Sequence, residues 1–134
     1  KNLLIIGTMN IADRSLALVD FALRRRFAFQ RLEPMLNDAW RAEVVRHVGP
    51  ENDEKVVEIQ RRMTDLNDQI AEDRMLGPAF RIGHSFVTPT PTVDDIDRWF
   101  ANIVNRKLVP QLEEYWIESP STVDSIAETL RSPL

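Results

Sequence analysis

The sequence predicts a mostly helical α+β chain, a strand, helix, strand unit followed by a run of helices, divided into residues 1–33 and 34–134. Three observations predict it. The run Leu3-Leu4-Ile5-Ile6, leading into Gly7-Thr8, is continuously apolar rather than alternating, the pattern of a strand buried on both faces of a parallel sheet. From Leu36 onward the apolar residues recur every three or four positions, which is the helical period. Proline and glycine at Glu33-Pro34, Gly49-Pro50, 76–91 and Ser119-Pro120 punctuate the segments between those stripes.

Taken in order, the first strand covers Leu3–Thr8 and a second covers Phe27–Leu32. Between them Leu16, Val19, Leu23 and Phe27 mark a helix from about Ser15 to Arg26, with Asp13 or Ser15 as its N-cap. A helix from about Leu36 to Val48 carries Leu36, Ala39, Trp40, Val44 and Val48 on one stripe and stops at Gly49-Pro50. A long regular helix from about Asp53 to Glu72 follows, with Val56, Ile59, Met63, Leu66 and Ile70 inside. Residues 76–91 form a structured loop, with Arg81–Val87 extended. Thr92 to Asp95 opens a further helix through Ile96, Phe100, Ile103 and Leu108, and Pro110 bends or restarts it before Trp116. Ser119 caps a last helix to about Leu130, with Pro120 in its first turn.

Composition excludes several classes of function. The 134 residues hold 17 Lys+Arg against 21 Asp+Glu, are 43% hydrophobic and include no cysteine, which removes disulfide scaffolds, Cys-ligated zinc and thiol nucleophiles. No apolar run approaches the roughly 20 residues that span a bilayer, so a soluble, cytoplasmic chain without membrane partners is expected. The chain starts at Lys1-Asn2 with no initiator Met or leader, so a piece of a longer protein is expected. Charge is uneven: residues 1–31 carry six basic and two acidic side chains, the remainder 11 and 19. A small basic segment on an acidic body suits a discrete anion such as a phosphate chain better than a nucleic-acid duplex.

The residues that could carry chemistry lie mainly in that basic segment. Asn10, at the carboxyl end of a buried strand, can donate and accept and so hold a water against a phosphate oxygen, or it can simply form a turn. Asp13-Arg14 sits at a helix start, where phosphates collect and where an acid also caps. Leu23-Arg24-Arg25-Arg26-Phe27 complements a helix dipole as a solvated face. At about 100° per residue, Leu23 and Phe27 facing the core would also send Arg25 outward, towards a ligand on a neighbour. His47 and His84 have no acidic partners at metal-ligand spacing, so no metal site is expected. No Gly-x-Ser-x-Gly, HExxH or glycine-rich phosphate loop occurs in the sequence.

Leu4-Ile5-Ile6-Gly7-Thr8-Met9-Asn10-Ile11-Ala12-Asp13-Arg14-Ser15 with Asp20-Phe21-Ala22-Leu23-Arg24-Arg25-Arg26-Phe27-Ala28-Phe29 resembles the second half of the AAA+ NTPase module of the McrB type, the GTP-driven subunit of 5-methylcytosine-specific restriction systems. Phe80–Phe86 and Leu108–Trp116 agree with it. The resemblance implies the last two strands and connecting helix of an AAA+ α/β core in 1–33, then a helical AAA+ lid in 34–134. It makes Asn10 the sensor 1 residue, places Asp13 and Arg14 in an Asn-x-Ala-Asp-Arg signature with Ile11 at the variable position, and makes Arg25 and Arg26 arginine fingers acting on the adjacent subunit. Arg81, with His84, falls nearest to where a sensor 2 contact from the lid belongs. It implies GTP or ATP with Mg²⁺ in the intact protein, a ring of like subunits and an McrC-type nuclease partner, with DNA met through regions outside this chain. The Walker A and Walker B elements would lie upstream, so the chain alone is expected to bind nucleotide weakly and hydrolyse none. An ATP-dependent MoxR-like chaperone and a non-enzymatic helical interaction domain are the alternatives.

Overall fold

A computed structural model describes residues 2–9 and 25–134. The chain divides into two compact units, Lys1–Leu32 and Glu33–Leu134.

In the second unit, helix α1 (Asp38–Val48) begins where the Asn37 side chain accepts a hydrogen bond from the Trp40 amide at 3.0 Å. It ends at Gly49, whose φ of 90° few side-chain-bearing residues adopt. The start is two residues later than expected because Asn37 caps it, and Ala39 is exposed rather than on the buried stripe. A single 3₁₀ turn, Pro50–Asn52, leads into helix α2 (Asp53–Glu72), with Asp53 and Glu54 at its positive end. Val56, Ile59, Met63 and Ile70 of α2 are fully buried, each contributing about 1.5–3 kcal/mol of transfer free energy. The helix stops where the Asp73 carboxylate accepts from the amides of Met75 and Leu76 at 2.7 and 3.2 Å.

The loop that follows contains two 3₁₀ turns, Pro78–Phe80 and His84–Val87. The second replaces the extended segment expected at Arg81–Val87: Thr88 Oγ1 donates to the His84 carbonyl at 2.8 Å and the Phe86 amide to Gly83, closing the backbone on itself. Helix α3 (Ile96–Ile103) is capped by Asp95, which accepts from the Arg98 amide. A π-helical turn, Val104–Leu108, then joins it to helix α4 (Val109–Tyr115). Phe100, Val104, Leu108 and Leu112 are buried at successive spacings of four. A strict α-helix would carry each about 40° further round, and the wider turn brings them back to one seam. It also suits Pro110, which has no N–H to return to Arg106; the Val109 amide instead bonds Val104, five residues back. Helix α5 (Pro120–Arg131) starts at Ser119, whose side chain makes no cap hydrogen bond, although Pro120 stands in the first turn as expected.

Helix α2 packs on α1 and α5, and α5 also meets α4 and the π turn. Their buried faces form one cluster with Ile82 and Val87 of the loop.

The first unit departs from expectation. No strand occurs among the described residues, and neither Leu3–Thr8 nor Phe27–Leu32 takes the strand form expected of it. Leu3, Leu4, Ile5 and Ile6 are 85%, 82%, 63% and 84% exposed. A strand of a parallel sheet takes all its hydrogen bonds from other segments, so an apolar run does not take that form by its own sequence alone. Phe27, placed in the core by helical phase, is 43% exposed. The connecting helix expected over 15–26 lies almost wholly outside the described residues.

Candidate functional site

Of the candidates in the first unit, Asn10, Asp13 and Arg14 lie outside the described residues. Arg25 and Arg26 stand in a turn, both exposed.

The second unit brings its two candidates together. Arg81 and His84 occupy a loop whose backbone is fixed from α2: Asn67, buried, donates Nδ2 to the Ile82 carbonyl at 3.0 Å and accepts the Ile82 amide at 2.6 Å. One amide side chain thus satisfies both polar groups of a buried peptide and sets the loop's height above the helix. Arg81 Nη1 lies 3.4 Å from the Glu33 carboxylate, and His84 Nδ1 accepts the Met35 amide at 3.1 Å. With Nδ1 engaged by that amide, Nε2 is the ring nitrogen left to meet a further partner. Gln60 of α2 donates to the Leu36 carbonyl at 2.9 Å, so residues 33–36 are held from two sides. The indole of Trp40 donates to Thr88 Oγ1 at 2.9 Å, closing the other end of the loop onto α1. With a long ion pair to an exposed partner, Arg81 can exchange Glu33 for an incoming anion at little cost, since such pairs contribute about 0–1 kcal/mol.

Behind the loop, the Trp116 indole donates to Asp73 Oδ2 at 2.8 Å, and Tyr115 meets Phe80 edge to face with ring centroids 5.4 Å apart. The Trp116 hydrogen bond, with the Met75 and Leu76 amides, holds the Asp73 carboxyl below its ordinary range, while burial raises the Tyr115 hydroxyl. Midway along α2 sits Arg62, a buried cation the sequence reading missed. It donates to Glu58 at 2.7 Å and to the carbonyls of Leu130, Ser132 and Pro133 at 3.2, 2.7 and 2.6 Å, supplying the donors that the end of α5 lacks. Hydrogen bonds from Arg61 and Arg62 pull the Glu58 carboxyl from 4.5 to about 2. Arg62 and Asn67 were legible in one respect: each stands three or four residues from Ile59, Met63, Leu66 or Ile70, within the apolar stripe, where a polar side chain must find partners.

His47 lies 3.3 Å from Glu43, and no cluster among the described residues could hold a metal ion. No helix among them is long and apolar enough to cross a membrane.

A family model for the α-helical lid domain of McrB matches residues 58–124. The chain belongs to the McrB lid family. The matched span of this McrB-type lid runs from Glu58 through Asn67, the Arg81–His84 loop and the π turn into α5. The type IV methyl-directed restriction enzyme EcoKMcrB subunit of Escherichia coli (strain K12) is 39% identical over 124 residues, 90% of this chain and 27% of that protein. The McrB-type chain thus spans about a quarter of its relative's length, and the likeness extends beyond the lid through the arginine run at 24–26.

Proposed function

We propose that the chain is the sensor, arginine-finger and lid portion of an AAA+ motor that hydrolyses GTP, with Mg²⁺, in a modification-dependent restriction system. The observation that carries this reading is the 39% identity to a restriction-enzyme McrB subunit, which runs through the arginine run as well as the lid. Residues 1–33 belong to the α/β core of the module and 34–134 to its lid. Asn10 orients the attacking water at the γ-phosphate, and Asp13 with Arg14 orders the adjoining helix start. Arg25 and Arg26 reach a neighbour's nucleotide; their exposure in a turn is compatible with action on another subunit. Arg81, through exchange of Glu33, and His84, through Nε2, are the lid's contacts to the nucleotide. The intact protein forms a ring in the cytoplasm and drives an McrC-type nuclease subunit.

The test is complementation in the intact protein. Arg25→Ala is expected to keep GTP binding and lose turnover by about 10³- to 10⁵-fold, the worth of an arginine finger. Mixed with subunits that keep Arg25 but lack the phosphate-loop lysine, it should regain part of its activity. Wild-type turnover by rings of Arg25→Ala alone would reduce the arginine run to a solvated face.

A further inference from the structure

Arg81 is held more loosely than the other paired arginines of the helical unit. Its contact to Glu33 is the longest ion pair among the described residues, 3.4 Å from one guanidinium nitrogen, Nη1, to one carboxylate oxygen, Oε2. Arg41 meets Asp53 through Nε and Nη2, and Arg61 meets Glu58 through the same two nitrogens. Arg62 commits all three nitrogens, to Glu58 and three carbonyls. Glu33 therefore engages a small part of a fork that a phosphate group can accept with two parallel bonds.

The backbones behind the pair are fixed independently of it. Ile82, next to Arg81, has both its amide and its carbonyl bonded to Asn67. Beyond Glu33, the Met35 amide donates to His84 and the Leu36 carbonyl accepts from Gln60. An anion arriving at Arg81 has one long contact to displace and no loop to rebuild, so the exchange is a movement of two partly exposed side chains. A carboxylate and a phosphate want the same donors and repel each other, so a phosphate closely bound at Arg81 excludes Glu33 from it.

We propose that Glu33 is a built-in competitor for the nucleotide: it occupies Arg81 in the empty lid and yields it to the phosphate chain. Glu33 thus regulates the same contact that Arg81 makes in the function proposed above, and rests on it. Affinity for nucleotide is lowered by the share of time the pair is closed, because only the open guanidinium is competent to bind. A partly exposed pair of this kind is closed enough to weaken binding by about two- to five-fold. The long, one-nitrogen geometry suits that role, since a tight bidentate pair would shut the site.

The experiment measures the Kd of a fluorescent, non-hydrolysable GTP analogue with Mg²⁺ for the intact protein. Glu33→Gln should tighten binding by about two- to five-fold. Arg81→Gln should weaken it by at least about 10-fold, the worth of a charge-assisted contact. A lost carboxylate also makes any anion site less negative, and the double variant separates that effect from competition. If Glu33 acts through Arg81, adding Glu33→Gln to Arg81→Gln should change Kd by less than about 1.5-fold. Asp38→Asn, an exposed carboxylate in the first turn of α1, should likewise leave the wild-type affinity within about 1.5-fold. Unchanged affinity in Glu33→Gln, with binding weakened in Arg81→Gln, would overturn the competitor and leave the Arg81 contact standing. Equal tightening by Glu33→Gln with and without Arg81, or by Asp38→Asn, would reduce Glu33 to one part of a general negative field. Unchanged affinity in Arg81→Gln would remove the lid contact itself, and the competitor with it.

Discussion

Two apolar stretches of this chain meet opposite fates. Ile59, in a helical apolar stripe, and Ile6, in a continuous apolar run, are the same side chain, yet Ile59 is 0% exposed and Ile6 is 84% exposed. Apolarity alone therefore does not secure burial. A helix such as α2 closes its hydrogen bonds within itself and needs only an apolar neighbour for its stripe. A parallel-sheet strand owes every backbone bond to distant segments, and without them its side chains stay in water.

The broadest test places one substitution in both regions of the 134-residue chain. Ile59→Asp should cost more than about 4 kcal/mol and abolish the cooperative urea transition, because it buries a charge without a partner. Ile6→Asp should move the same transition by less than about 0.5 kcal/mol. Equal damage from both would show that the first unit is packed in solution, and the contrast would fail. Within the helical unit, Arg62→Ala should cost about 1–3 kcal/mol by urea unfolding, since it removes the donor shared by three carbonyls at the end of α5, while Glu58 keeps its bonds to Arg61. A loss below about 1 kcal/mol would mean that water replaces the guanidinium.

Asn67→Ala should cost about 1–3 kcal/mol, the desolvation of an orphaned peptide group, and should speed hydrogen exchange at Ile82 first. Exchange that rises evenly along α2 instead would count against Asn67 as the loop's anchor. The smallest effect is read in pH. The folded-state Glu58 carboxyl lies near 2, below its ordinary 4.5, so its contribution is complete at neutral pH and is lost as pH falls from about 4.5 towards 2. Glu58 is largely shielded, and the contribution is of the order of 1–2 kcal/mol. Stability of Glu58→Gln should therefore fall less steeply over that window, and an unchanged acid limb would assign the dependence to Asp53 and Asp73.

What was legible in the sequence follows the same division. Helices α1, α2 and α5 are readable because their apolar stripes recur within a few residues and local breakers punctuate them, as at Gly49 and Pro120. The strands failed because their partners are not encoded locally. Pro110 predicts a bend or restart of the helix, and the π turn that the structure places before it is written only in the four-residue spacing from Phe100 to Leu112. At the candidate site, Arg81 and His84 were singled out, but their attachment to Glu33 and Met35 joins residues 48 and 49 apart, a pairing no local pattern announces. Arg62 does not show when the helical stripe is read by its apolar members alone.

The π turn has a consequence for genealogy. One turn there holds a residue more than an α-helical turn would, so among relatives it should appear as a single-residue insertion inside an otherwise continuous helix. Removing one residue from 105–107 would rotate everything downstream by about 100°. Leu112 would leave the seam, and Tyr115 and Trp116 would swing away from Phe80 and Asp73. A one-residue gap in this stretch of an alignment is therefore a structural event, to be matched by compensating changes in α5 and in the loop at 73–80.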